Sequence, residues 1–199
     1  MTVSTTPFGS QSPVSVILIT MPDAFPDETD ICNRLLADGL GRLHLRKPDA
    51  SLEETARWLE QIEPQYRRRI VVHDHHDLAR EYRLGGIHLN GRNPQAPDWF
   101  VHPIDNNKEE ACTLSRSCHS IEEVRTVARD YDYVFLSPVF DSISKQGYRT
   151  TFLREELSSA RDILSRNVYA LGGITPERLP EVQRLGFAGA AMMGGFWHL

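Results

Sequence analysis

The side chains able to do chemistry in this chain gather just after short apolar runs. His44, Arg46 and Lys47 stand at the end of one such run, His73, Asp74, His75 and His76 at the end of another, and Asn90, Arg92 and Asn93 after a third. Ser117 and His119 close the next, and Ser137, Ser142, Ser144 and Lys145 the one after it. An imidazole placed like His119, directly after a run and before the capping Ser120, suits proton transfer near neutrality. A capping or merely solvated role competes with that reading on equal terms. Ser142, Ser144 and Lys145 put two hydroxyls and an ammonium within four residues, enough to wrap phosphate oxygens. The alternative is a polar surface loop with a solvated lysine. Gly172-Gly173-Ile174 and Gly194-Gly195 close the last two runs. Glycines there let backbone N–H groups approach a phosphate, although paired glycines also make simple tight turns. On the first reading, a bulky side chain at Gly173 excludes the anion and leaves the fold intact.

The histidine run 73–76 has the composition of a metal cluster. Adjacent residues at a strand end point in different directions, however, and no HExxH or Cys/His grid accompanies it, so zinc is not expected. His88 lies inside an apolar run, where it lines a core. Cys118 has no base of its own and is read as packing.

Positioning these groups at one end of successive runs is a task for a parallel barrel. Eight β-rich runs cover residues 14–20, 42–46, 70–73, 86–89, 113–117, 133–137, 168–171 and 189–193. Continuous apolar stretches such as Val-Ile-Leu-Ile belong to strands buried on both faces. Between them, helical patterns span 27–37, 51–61, 120–130, 152–165 and 175–185, with capping boxes at Ser51/Glu54 and Ser120/Glu123. Pro176 stands at a first helical position, and Gly39, Gly85 and Gly186 stand where helix C-caps belong. Eight strands alternating with helices in about 200 residues predict a compact (β/α)₈ barrel, with the eighth helix truncated or absent. Residues 1–13 read as a flexible leader and 14–199 as a single domain.

Composition narrows the partners. The chain has 199 residues, 22 basic and 27 acidic, and a net charge of −5, a poor match for a nucleic-acid backbone. No apolar run approaches the roughly 18 residues of a membrane helix, and residues 1–13 lack a secretory signal. Three cysteines without metal-type spacing point to a reducing compartment, so a cytoplasmic protein is expected.

Six runs stand together in the order and spacing of one family: LHLRKP (43–48), HDHHDLA (73–79), GIHLN (86–90), SRSCHSIEEV (115–124), DYVFLSPVFDSISK (132–145) and ALGGITPERLPEVQRLGFAGAAMM (170–193). From about residue 14 to 197 the chain resembles the thiamin phosphate synthase/TenI family. The resemblance implies a (β/α)₈ barrel that holds a hydroxyethylthiazole phosphate. Two chemistries occur in that family. The synthase joins the thiazole to a pyrimidine diphosphate with Mg²⁺ and releases pyrophosphate. The TenI-type enzyme aromatises a thiazole carboxylate phosphate by a proton shift and uses no cofactor.

Against the synthase pattern, Arg46 and Asp74 match a basic residue and a magnesium-site aspartate. Ser142, Ser144 and Lys145 match the chemistry of its Thr-Thr-Lys loop. His44 replaces a glutamine, Pro48 stands near an expected lysine, His73 replaces an asparagine, and Asn93 replaces a magnesium-ligand aspartate. The run from Ser115 to Ser120 resembles the TenI-type strand, whose histidine is the proposed acid/base. The resemblance therefore implies a tautomerase with His119, Arg46 and Lys145 as catalytic residues. Its substrate and phosphate contacts are Ser117, Ser142, Ser144, Gly172, Gly173, Gly194, His44 and His73. The synthase, with Mg²⁺ on Asp74, is the alternative, and a non-catalytic phosphate-binding barrel is the second. A small-molecule thiazole phosphate is the expected partner, with a homo-oligomer left open.

Overall fold

A computed structural model of the chain describes residues 12–100, 112–141 and 152–197. The expected loop residues Ser142, Ser144 and Lys145, and most of the expected leader, lie outside the described residues. Eight parallel strands close into a barrel in chain order. They are β1 (Ser15–Ile19), β2 (Arg42–Leu45), β3 (Ile70–Val72), β4 (Gly86–Leu89), β5 (Thr113–Cys118), β6 (Tyr133–Leu136), β7 (Val168–Ala170) and β8 (Gly189–Met192). β1 closes the ring on β8, with Ile17 opposite Ala191. All eight runs read as strands in the sequence are strands, and the fold is the expected (β/α)₈ barrel.

Strand alternation divides the apolar side chains into two cores. Ile17, Ile19, Tyr133, Phe135 and Ala191 face the barrel interior. Their strand neighbours Val16, Leu18, Val134, Leu136, Ala190 and Met192 pack outward against the helices. This two-sided burial explains the continuous apolar runs.

The helices are α1 (Glu28–Ala37), α2 (Leu52–Glu60), α3 (Asp77–Glu81), α4 (Ile121–Val127), α5 (Arg154–Ser159), α6 (Arg161–Asn167), α7 (Leu179–Leu185) and α8 (Gly194–Trp197). The last is a single turn, the expected truncation. The capping box at α2 is formed: Glu54 N–H donates to Ser51 Oγ at 3.2 Å and Ser51 N–H to Glu54 Oε2 at 2.8 Å. At α4 only half of it forms. Glu123 N–H donates to Ser120 Oγ, but the Glu123 carboxylate reaches one residue further back, to His119 N–H at 2.8 Å. Helix 152–165 divides at Ala160, and α3, too short to show a period, is an element the sequence did not reveal. Gly39 and Gly186 take left-handed conformations after their helices, whereas Gly85 does not. Arg83 turns the chain there instead, and Gly85 is needed because a β-carbon would lie 2.1 Å from the Arg68 carbonyl.

One polar cluster is structural. Lys47 Nζ donates to Glu28 Oε1 at 2.8 Å and to the carbonyl of Met21, and Trp58 Nε1 donates to Glu28 Oε2 at 2.9 Å. Lys47 is 5% and Glu28 2% exposed, so Lys47, although it ends an apolar run, points away from the barrel mouth. Trp58→Phe keeps an aromatic ring, though a smaller one, and removes one donor to a buried carboxylate. It is expected to cost about 1.5–3 kcal/mol, seen as a lower urea midpoint at unchanged m-value.

Candidate active site

The loops after the strands enclose a cavity of about 380 Å³ at the carboxyl end of the barrel. Of the expected site residues, Arg46, His73, Ser117, His119, Gly172, Gly173 and Gly194 all line it. The structure thus brings together groups spread over β2, β3, β5, β7 and β8.

His119 follows β5 and is held from two sides. Its backbone N–H donates to Glu123, and its ring Nδ1–H donates to the Ser137 carbonyl at 3.0 Å. A carbonyl only accepts, so Nδ1 carries the proton and the neutral ring keeps a bare Nε2. That nitrogen is a base on the cavity wall. Glu123 is itself anchored by Arg116 NH2 at 2.6 Å, and Arg116 lies over the Tyr131 ring. Glu123 is therefore a positioning group that the sequence showed only as a cap.

The two glycine turns touch. A β-carbon on Gly195 would fall 2.1 Å from the Ile174 carbonyl, so the turns after β7 and β8 form one continuous wall. Gly172 and Gly173 have φ of 95° and 61°, which turn the chain sharply into the cavity wall. The amides of Gly173, Gly194 and Gly195 have no hydrogen-bond partner among the described residues. Such amides are donors for an anion. The Arg46 side chain likewise makes no hydrogen bond or ion pair among the described residues. Burial first, and Arg92 second, lower its pKa from the ordinary guanidinium value. An unpaired, half-buried guanidinium is a further anion contact.

Three neutral histidines fill the interior here, His73 at the cavity floor and His44 and His88 below it. His44 and His88 are fully buried and His73 nearly so. His73 and His88 stack at 4.2 Å between ring centroids, and Phe135 packs on both His88 and His44. Burial lowers the pKa of all three, that of His88 to about 3. The placement of His88 as a lining residue holds. His44 does not: it was expected to touch substrate, but it lies beneath His73, bonded to His73 Nε2 at 2.8 Å and to the Tyr133 hydroxyl at 2.7 Å. Within the run 73–76 the rings diverge as expected, His75 donating to the Ala50 carbonyl and His76 to the His88 carbonyl. Burial pushes the Cys118 thiol up to about 12, consistent with packing.

Residues 16–196 match the family model described as thiamine monophosphate synthase (TMP-TENI). The chain belongs to this family. A thiamine phosphate pyrophosphorylase structure from Bacteroides thetaiotaomicron is 40% identical with a TM-score of 0.79, covering 93% of this chain and 85% of that one. Thiamine-phosphate synthase 1 of Aquifex aeolicus is 27% identical, over 92% of this chain and 85% of its own. The thiamine-phosphate synthase of Synechococcus sp. (strain CC9605) is 30% identical over 91% of this chain, which spans half the length of that relative. These names favour the synthase over the tautomerase. Among the described residues no helix is long and apolar enough to cross a membrane.

Magnesium chemistry in this family calls for hard anionic ligands, and the described residues here do not supply them. Asp74 Oδ1 and Oδ2 both accept from Arg92 NH2, at 2.9 and 3.1 Å, and Oδ1 also accepts from Asn93 Nδ2 at 2.9 Å. The single carboxylate is thus neutralised by a guanidinium, and the neighbouring position is an amide. Neither Asp74 nor Asn93 lines the cavity, whereas Arg92 and Asn90 do. Asn90 positions the floor, its Nδ2 donating to the His73 carbonyl. Arg92 and Asn90 were visible as polar residues after β4, but nothing in the sequence showed that Arg92 would occupy Asp74.

Proposed function

We propose that this chain is a thiamin-pathway isomerase that binds a thiazole carboxylate phosphate and aromatises it by a proton shift. Its phosphate sits against the Gly173 and Gly194 amides, its carboxylate meets Arg46, and His119 Nε2 takes and returns the proton. The observation that carries this reading is the state of Asp74. A synthase must hold a metal–diphosphate leaving group, and among the described residues the carboxylate at the expected metal position, Asp74, is committed to Arg92 and Asn93. The substrate of an isomerase gains aromaticity, so one well-placed base and an anion grip suffice. The synthase is the second reading, favoured by the names of the relatives and by Arg46, whose guanidinium, unpaired among the described residues, also suits a diphosphate.

Two incubations separate them. With the thiazole tautomer, the aromatic product is expected at a rate unchanged by a chelator. With the pyrimidine diphosphate, thiazole phosphate and Mg²⁺, no pyrophosphate is expected. Metal-dependent pyrophosphate release that fails in Asp74→Ala overturns the isomerase reading. Phosphate-ester affinity without turnover in either incubation makes the chain a binding barrel.

A further inference from the structure

Barrel interiors are ordinarily filled by branched aliphatic side chains. This one buries His44 and Tyr133 beneath His73, joined by two hydrogen bonds. His73 Nε2 meets His44 Nδ1 at 2.8 Å, and His44 Nε2 meets the Tyr133 hydroxyl at 2.7 Å. Each group would be costly to bury without its partner. The order of the protons along these three side chains follows from their chemistry, and it decides what His73 offers to the cavity.

Tyr133 is buried, and His44 Nε2 is the only hydrogen-bonding acceptor of its hydroxyl among the described residues. If the phenol accepted from His44, its own proton would be left without an acceptor, at the full desolvation cost of a buried donor. A separation of 2.7 Å also suits an O–H donor better than an N–H donor, for which about 2.9–3.0 Å is usual. The phenol therefore donates, and His44 Nε2 is bare. Burial keeps His44 and His73 neutral, so the one His44 proton is on Nδ1 and is donated to His73 Nε2. The one His73 proton is then on Nδ1. This nitrogen makes no hydrogen bond among the described residues, yet no side-chain nitrogen or oxygen there is both buried and unpartnered. His73 lines the cavity, so its Nδ1–H is the edge that faces the ligand.

We propose that His73 is a second catalytic group, a neutral imidazole whose Nδ1–H donates to the substrate atom that gains negative charge as His119 removes the proton. Tyr133, acting through His44, is the positioning residue that fixes this tautomer. The proposal rests on the isomerase reading. His44 and Tyr133 do not line this cavity and act only through His73.

His119 presents a bare nitrogen and His73 an N–H, so the two imidazoles divide the work of a proton shift. His119 Nε2 takes the proton from carbon and forms an N–H bond. The electron pair of the broken C–H bond spreads through the conjugated system onto its carboxylate and ring nitrogen, and His73 Nδ1–H donates to the heteroatom that faces it. His119 then returns the same proton to the second substrate atom as the pair is drawn back to bond it. Nothing is oxidised or reduced, and His73 keeps its proton throughout. A donor aimed where charge develops lowers the barrier when it is held in place beforehand. His73 is so held: Asn90 and Asn93 each donate to its carbonyl, at 3.1 and 3.0 Å, and its ring stacks on His88.

¹⁵N NMR of labelled histidines in the wild-type chain is expected to show His44 and His73 as neutral Nδ1–H tautomers. The His73 Nδ1 signal should shift when the thiazole carboxylate phosphate binds. His73→Leu is expected to lower kcat on the thiazole tautomer about 10²–10³-fold, the usual cost of removing one such donor, with KM nearly constant. His73→Asn, whose amide can donate from nearly the same place, should recover part of that loss. Tyr133→Phe removes the proton that sets the order, so an Nε2–H form of His73 should appear in the spectrum and kcat should fall at nearly constant KM. An Nε2–H His73 in the wild type, or an unchanged kcat in a folded His73→Leu, overturns the proposal. Should His73→Leu fail to fold, an unchanged kcat in Tyr133→Phe overturns it instead. A wild-type chain inactive on the tautomer counts against the isomerase reading. The spectra then decide the donor by themselves: an Nδ1–H His73 that shifts with the ligand keeps it, and one that does not shift overturns it.

Discussion

His119→Asn is expected to lower the proton shift by about 10²–10⁴-fold, the usual contribution of a positioned acid/base, while leaving phosphate-ester affinity close to wild type. Asparagine can still donate from its amide toward the Ser137 carbonyl that now holds Nδ1–H. The backbone N–H to Glu123 is untouched by the change, so the loop keeps its anchor. What disappears is the bare Nε2. The anion contacts come from other elements, the turns after β7 and β8 and Arg46 after β2, so binding measured by calorimetry should hardly move. If the chain is a synthase, the same substitution should be mild, because bond making there depends on diphosphate departure. A wild-type rate in both reactions would remove His119 from the mechanism.

Glu123→Gln is a gentler version of the same test. It weakens the bonds to Arg116 and to the His119 amide without touching the ring, so its effect should be smaller and confined to kcat.

The barrel was legible because parallel strands buried on both faces leave uninterrupted apolar runs, and because glycines and caps punctuate them. Val16 to Ile19 could hardly be anything else: alternate residues enter different cores, and all four are buried. The site was legible as far as strand ends predict direction. Arg46, His73 and His119 follow their strands, Ser117 is the last residue but one of β5, and all four reach the cavity. His44 shows where that logic stops. It lies one register step inside β2, paired with Ile19 and Val71, so its side chain enters the barrel below the mouth. Its inward direction could be read from alternation with Leu43 and Leu45, but its depth could not. Depth depends on the stagger of neighbouring strands, which one strand's sequence does not contain. The pairing of Arg92 with Asp74 was hidden for a related reason, since it joins the loops after β3 and β4. Only the closed ring makes those loops neighbours.

The second large effect belongs to Gly173, and here the structure changes the expected outcome. From sequence alone, Gly173→Val should exclude the anion from an otherwise intact barrel. In the structure, a β-carbon at this position falls 2.3 Å from the Asp141 carbonyl oxygen and 2.9 Å from Phe140 Cβ. Neither contact can be relieved by a side-chain rotation alone. The segment after β6 is tied to this turn through Val139 N–H to the Leu171 carbonyl at 2.8 Å and Phe140 N–H to the Gly172 carbonyl at 3.1 Å. Arg178 donates to the Gly173 carbonyl at 2.8 Å and lies over the Phe140 ring, clamping the two segments from outside. A left-handed β-branched residue costs about 1–2 kcal/mol, and overpacking adds about 1–3 kcal/mol. Gly173→Val should therefore lose about 2–5 kcal/mol of stability together with phosphate-ester binding, because the same backbone shift that relieves the contact moves the anion-facing amides. Gly41→Ala is the control: a β-carbon there meets nothing within 4 Å, and its stability should stay within about 0.5 kcal/mol of wild type. Urea titrations and calorimetry with the thiazole phosphate on the same samples decide the matter. Binding lost at unchanged stability would show that the side chain blocks the ligand directly and that the turn after β7 accommodates it without moving.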